Sequence, residues 1–454
     1  MAVRLTVGLG NFIAGLHYRD IPKDAIPYIH AGFADCVGVM IAGAHEPAPQ
    51  LLKRMLDSTS KEATLFLGQG RASAQEAAWI NGTAAHVLDF DDIALGGHPS
   101  AVLVPTILAE AEAIGASGEQ MVLAYAAGYE TWAELVRRDA DQHHKKGWHP
   151  AGIFGAIGAA AACASLRRLS AEKAAIAIAL GASQSAGLVS NFGSMTKPFH
   201  VGRSAHAGVV SARLAEIGFT ASLDALEHPP GFLTAVSPAG TIDVESAIQA
   251  GADWKLPRNR LSVKQYPSCG FTHRALDGML DLLRAQTIHA DKVTRVTVST
   301  SRRGVAVLRN HAPQTGLEAK FSMEFAMAAA LIVGRAGLAE FRDEFVGRRD
   351  VQEIMKRVVV TPEDRQDSAG YAIYDQVIVE TGDGRRLDSG ELTKVRGGPD
   401  LPLKQDELWA KFEGCVQRET HVSARNLFDA LMSLDRLPSV LEIPGLVAPE
   451  RHPI

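Results

Sequence analysis

Cysteine is scarce: Cys36, Cys163, Cys269 and Cys415 are the only four in 454 residues, and no two form a C-x-x-C pair. That pattern excludes a disulfide framework and a structural zinc site, and it fits a reducing compartment. No excess of positive charge is present either. Lys+Arg number 46 against 51 Asp+Glu, a net charge of −5, so a generally basic nucleic-acid binder is excluded and any anion site is local. Long apolar runs are missing: residues 151–166 are Ala- and Gly-rich and fall short of the roughly 20 a membrane span needs, so they read as a buried helix. The run at residues 7–16 is broken by Asn11, and no small-residue cleavage site follows it. Gly8-x-Gly10 lacks the third glycine of a dinucleotide site. There is no internal repeat and no low-complexity segment. The expectation is a cytoplasmic protein with no nucleic-acid partner and no membrane span.

What is present is globular. Hydrophobic residues make up 46% and charged residues 21%, and at roughly 100–200 residues per domain the chain holds two or three domains. From about residue 26 to 226 the pattern is helical. Val104, Ile107, Leu108, Ala111 and Ile114 recur at helical spacing, with Pro105 placed in the first turn and Gly115 as the stop. Ser117 and Gln120 then form a capping box for the next helix. Small residues at 156–164 and 204–215 predict closely packed helix backbones. After about Val263 the texture changes. Val-rich strand candidates lie at 292–300, 357–361 and 377–380, the last leading through Gly382-Asp383-Gly384 into 385–387, with a helix at 323–333 between them. Helix returns at 407–416 and 424–434. The reading is mainly α: an all-helical domain over 1–263, completed by 400–454, plus a smaller α+β lid domain over 264–399.

Three helical segments open after a basic residue followed by proline: His98-Pro99, His149-Pro150 and Lys197-Pro198. A residue before proline avoids the α region, which places each basic side chain just outside its helix, beside unpaired backbone N–H groups. A cation there makes an anion pocket. His200 and Arg203 strengthen the third site, and Lys264, three residues before Pro267, is a looser fourth. The competing reading is that such pairs only mark loops.

In His86-Val-Leu-Asp89-Phe-Asp91-Asp92, a helix reaching this far puts His86 and Asp89 on one face, with Asp92 a turn later. Crowded acids raise one another's pKa, which suits a general base. Metal ligation is a rival, although the set matches neither H-E-x-x-H nor an EF-hand loop, and a third reading is a cap for the next helix. Cys269 and His273, at i and i+4, offer either a nucleophile–base pair or a buried inert thiol.

Six segments together resemble the MmgE/PrpD superfamily: NGTAAHVLDFDD (81–92), GHPS (97–100), GWHPAG (147–152), TKPFHVGRSAHAG (196–208), KQYPSCGFTH (264–273) and AKFSMEF (319–325). The resemblance implies an all-helical domain with an α+β lid, a homodimer, and a site between the domains for small di- and tricarboxylates. It implies no metal and no organic cofactor. Asp89, His98, His149, Lys197 and Lys264 match positions lining that site, and His273 lies nearby. Against the decarboxylase branch this chain has Ile93 for a Thr, a loop to His98 one residue shorter, Cys269 for a His and Phe325 for a Tyr. Cys269 and the NFGSMTKP context are more similar to the epimerase-like branch.

The resemblance thus implies a lyase dehydrating a hydroxy-polycarboxylate such as 2-methylcitrate. An epimerase of an imino- or amino-dicarboxylate, a cis-aconitate-type decarboxylase and a non-catalytic carboxylate binder are the alternatives. The assigned roles are Asp89 as base or proton carrier, His98 as acid and Cys269 as a second acid/base. Lys197, His149 and Lys264 grip carboxylates, supported by His200, Arg203 and His273.

Overall fold

The computed structural model describes residues 4–66, 70–365, 373–417 and 423–445. Residues 418–422 and 446–454 of the expected C-terminal completion lie outside them. Of the described residues, 56% are helical and 8% lie in strands. It folds into two compact units, Met1–Val87, Asp91–Leu261 and Lys404–Ile454 forming one, Leu88–Phe90 and Ser262–Leu403 the other.

Among the described residues, the first unit has nine helices ahead of residue 217: α1 (Leu5–Gly15), α2 (Ile26–Gly43), α3 (Pro47–Leu56), α4 (Ala74–Val87), α5 (Pro99–Ile114), α6 (Gly118–Arg138), α7 (Pro150–Leu166), α8 (Ala171–Ser183) and α9 (Thr196–Glu216). A short antiparallel pair, β1 (Ala63–Thr64) with β2 (Arg71–Ala72), precedes α4. α7 is buried at every position. Its alanines and glycines leave no long side chain to hold neighbours apart, so helices pack on all its sides. α4 and α9 cross closely: a Cβ on Gly202 would lie 2.2 Å from the Trp79 carbonyl oxygen and 2.3 Å from Thr83 Oγ1. Only glycine permits that contact.

α5 begins at Pro99 and ends where Gly115 turns left-handed at φ +67°, and Ser117 accepts from Gln120 N–H to open α6. Pro105 therefore sits in the interior of α5, not in its first turn as expected. The helix starts a turn earlier than its apolar stripe suggests, and burial of nearly its whole surface outweighs the hydrogen bond that proline removes. α2 is a second apolar segment beyond residues 151–166: its 18 residues are long and apolar enough to cross a membrane, and 72% of them are buried within this fold. Helices Gln405–Val416 and Ala424–Leu431 also belong to this unit. Phe412 packs at Gly38 of α2, and Lys411 Nζ lies 2.5 Å from the buried Asp35 carboxylate.

The second unit is built on a four-stranded sheet in the order β4-β3-β5-β6, with β3 Val293–Ser301, β4 Val358–Glu363, β5 Gln376–Thr381 and β6 Arg386–Asp388. β3 runs parallel to β4 (Val296 opposite Val358) and antiparallel to β5 (Val296 opposite Val379). A register shift between Val293 and Arg295 lets Val293 and Val296 both face inward despite their odd spacing. The β5–β6 hairpin closes through Gly384 at φ +82°. Helices His273–Ala285 and Met323–Val333 pack with this sheet. Leu88–Phe90 is held in this unit by Lys264 Nζ on Asp89 and by Lys320 Nζ on the Leu88 carbonyl, each at 2.8 Å.

Candidate functional site

The α4–α9 crossing sets the site of the first unit. His86 lies one turn beyond Gly82, and Lys197 lies in the first turn of α9, ahead of Gly202. The crossing brings Lys197 Nζ to 2.9 Å from His86 Nε2. α4 stops at Val87, and Asp89 takes a left-handed φ of 51°. The expected one-face arrangement of His86, Asp89 and Asp92 is therefore wrong: the helix ends before it reaches the acids, and a non-glycine residue in that conformation is strained backbone.

The chain returns through Leu95 (φ 52°) and Gly96 (φ 69°), and an Ala94–Gly97 bridge delivers His98 to the N-cap of α5. His149 is the N-cap of α7, its N–H bonded to the Gly187 carbonyl at 3.0 Å. A Cβ at Gly187, whose φ is +136°, would meet the His200 ring at 3.0 Å. His98 and His149 sit outside their helices as expected. Lys197 does not, because α9 begins at Thr196 and Lys197 lies inside its first turn. Pro198 still falls where no N–H is needed, and the buried contact of Lys197 with His86 outweighs the pre-proline preference.

Asp91 is the centre of this cluster. Its side chain is fully buried, with Oδ1 2.9 Å from His86 Nδ1 and Oδ2 2.9 Å from His98 Nδ1. His98 Nδ1 also lies 3.0 Å from the Asp92 carbonyl oxygen. The His86 and His98 ring centroids are 4.3 Å apart, and those of His86 and His149 are 5.8 Å apart. His149 Nδ1 meets His200 Nδ1 at 3.3 Å, and Phe192 presents its ring to His149 and Lys197. Of the Asp91, His86 and His98 side chains only His98 reaches the surface, at 12% exposure.

Burial dominates the electrostatics. It pushes His86 down to about 3, with Asp91 opposing and Lys197 reinforcing the shift. His149 is driven well down by burial, then by Lys197 and the neighbouring imidazoles, and His200 falls to about 4 by burial, Lys197 and Arg203. Burial alone would raise Asp91, yet the two imidazoles hold it well below the usual carboxylate range. Asp92 goes the other way, pushed well up by burial and by Asp35, while the Ser100 hydroxyl and N–H at the start of α5 oppose. The three acids thus divide: Asp91 serves imidazoles, Asp92 faces a helix start, and Asp89 pairs with a lysine. Arg203 donates to the Gln184 carbonyl.

In the second unit Lys264 Nζ lies 2.8 Å from both Oδ1 and the backbone carbonyl of Asp89. Cys269 is a buried thiol whose backbone N–H donates to the Lys320 carbonyl at 2.9 Å. His273 opens helix His273–Ala285, with Nε2 3.2 Å from the Ser268 carbonyl and its ring against Tyr266. Phe325 is buried against Phe341 and Phe345. Among the expected site residues, His98, His149, Lys197 and His200 thus come together in one unit, and Asp89 with Lys264 in the other.

Asp91 and His86 carry more of this geometry than the sequence assigned them. Both lie in the acid motif, but spacing selects the wrong acid as partner once the helix stops at Val87. His86, Asp91 and His98 also carry donor atoms close enough together to hold a divalent cation.

The model of the MmgE/PrpD N-terminal domain matches residues 7–245, and that of the MmgE/PrpD C-terminal domain matches residues 266–433. The chain is 27% identical over 353 residues to cis-aconitate decarboxylase of Mus musculus, covering 74% of this chain and 70% of that protein. It is 27% identical over 349 residues to the enzyme of the same name from Homo sapiens, covering 74% and 71%. A cis-aconitate decarboxylase-like protein, oryM, of Aspergillus oryzae is 24% identical over 481 residues, 98% of each chain.

Proposed function

The chain belongs to the MmgE/PrpD family, and from that premise we propose that it is a lyase acting on a small di- or tricarboxylate by proton transfer next to a carboxylate group. The observation that carries the reading is the gathering of His98, His149 and Lys197 around Asp91. Proton removal beside a carboxylate builds a second negative charge on it, and a buried group of cationic and N–H donors offsets that charge. In this reading His98 moves the proton through Nε2, and Lys197 and His149 meet the carboxylate.

Dehydration of a hydroxy-polycarboxylate is the leading form: His98 takes the proton on Nε2, the adjacent C–O bond breaks, and the imidazolium so formed returns that proton to the departing hydroxide, which leaves as water. Decarboxylation of a cis-aconitate-like acid is the second, favoured by the names of the relatives. Cys269 and Phe325, where the decarboxylase branch has His and Tyr, weigh against it. The test is incubation in deuterated water with 2-methylcitrate, citrate, cis-aconitate and iminodisuccinate, followed by NMR. New olefin from a hydroxy acid supports dehydration, and loss of CO2 with deuterium uptake supports decarboxylation. Deuterium exchange with inversion, without bond cleavage, would replace the lyase reading with an epimerase.

A further inference from the structure

A carboxylate that binds two different imidazoles through its two oxygens does more than neutralise charge. Asp91 places Oδ1 2.9 Å from His86 Nδ1 and Oδ2 2.9 Å from His98 Nδ1. An ionised carboxylate only accepts hydrogen bonds, so both Nδ1 atoms carry the proton, and in a neutral imidazole that leaves the lone pair on Nε2. Two further contacts lead independently to the same tautomers. The Asp92 carbonyl, 3.0 Å from His98 Nδ1, is also solely an acceptor. On the other imidazole, Lys197 Nζ at 2.9 Å is a donor and requires an acceptor at His86 Nε2.

We infer that Asp91 is a positioning residue that fixes two imidazole tautomers at once, presenting His98 as the acid/base through Nε2 and His86 as the tether that aims the Lys197 amine. The inference deepens the lyase reading and rests on it for its catalytic consequence. His86 then touches no substrate; it acts through Lys197. Replacing Asp91 by Asn keeps the shape but substitutes one N–H donor for an acceptor, so one imidazole faces a donor and must present a lone pair at Nδ1. That imidazole loses its Nε2 lone pair.

The measurement is 15N NMR of histidine-labelled, ligand-free protein, assigned with His86→Asn and His98→Asn variants. Wild type is expected to show Nδ1-protonated neutral tautomers at both positions near pH 7.5. Asp91→Asn is expected to shift one of them toward the Nε2-protonated form and to lower kcat on the order of 10²–10⁴-fold with KM changed far less. An Nε2-protonated His86 or His98 in wild type overturns the inference, and so does an Asp91→Asn variant that keeps both tautomers or full kcat. The wild-type spectrum needs no substrate, and its assignment uses the two histidine variants without asking them to turn anything over. A chain that turns over none of the carboxylates would sink the lyase reading while leaving the tautomer result intact.

Discussion

Lys197 and His200 show how one buried residue serves either chemistry or stability. Lys197→Ala removes the group proposed to meet the developing carboxylate charge, and kcat is expected to fall by about 100-fold or more. It also gives up the hydrogen bond to His86 and the contact with the Phe192 ring, each worth about 1 kcal/mol, so the melting temperature should move by only a few degrees. Calorimetry beside a turnover assay checks both halves, and surviving activity would remove Lys197 from the site. His200 has the opposite signature. Its folded pKa, about 4, lies below the 6.5 or so of the unfolded chain. Between those values the unfolded state binds more protons, so this residue costs stability as pH falls through that window. A His200→Asn variant lacks the effect, and its stability relative to wild type should improve by about 2 kcal/mol between pH 7.5 and 5 in urea titrations. A gap that stays constant would mean that His200 is solvated.

At the scale of elements, the site depends on two helices meeting without side chains between them. Gly202→Ala puts a methyl 2.2 Å from the Trp79 carbonyl and 2.8 Å from the Thr83 amide. Backbone cannot yield as a flexible side chain does, so a loss of roughly 2–3 kcal/mol is expected. Activity should drop further than stability, because α4 carries His86 and α9 carries Lys197. Gly414→Ala, in helix Gln405–Val416 with nothing within 4 Å, is the control and should stabilise by up to about 1 kcal/mol. Equal melting temperatures for the two variants would contradict the close crossing. The small-residue runs made such crossings legible in the sequence. The end of α4 was not legible, since nothing between Val87 and Asp92 is a helix breaker; the lysine contacts on Leu88 and Asp89 pull that segment out of the helix.

For the molecule as a whole, the C-terminal helices complete the first unit's core. Lys411 and Asp35 are both buried and 2.5 Å apart. Lys411→Met strands a carboxylate without its cation, at a cost of roughly 3 kcal/mol or more. Adding Asp35→Asn should recover part of it, which a double-mutant cycle by chemical denaturation would measure. Full additivity of the two changes would show that the pair is not coupled.

The sequence by itself determined the helical character, the strand positions after Val263, and the set of basic residues before prolines, because each is a matter of local periodicity, capping and backbone sterics. Only the tertiary structure decided which acid serves which base. Asp89, Asp91 and Asp92 are the same chemical group within four positions, and they are told apart by what other parts of the chain bring to them: a lysine to the first, two imidazoles to the second, a helix start to the third. Burial strengthens each of those pairings, and burial is a property of packing that no local spacing encodes.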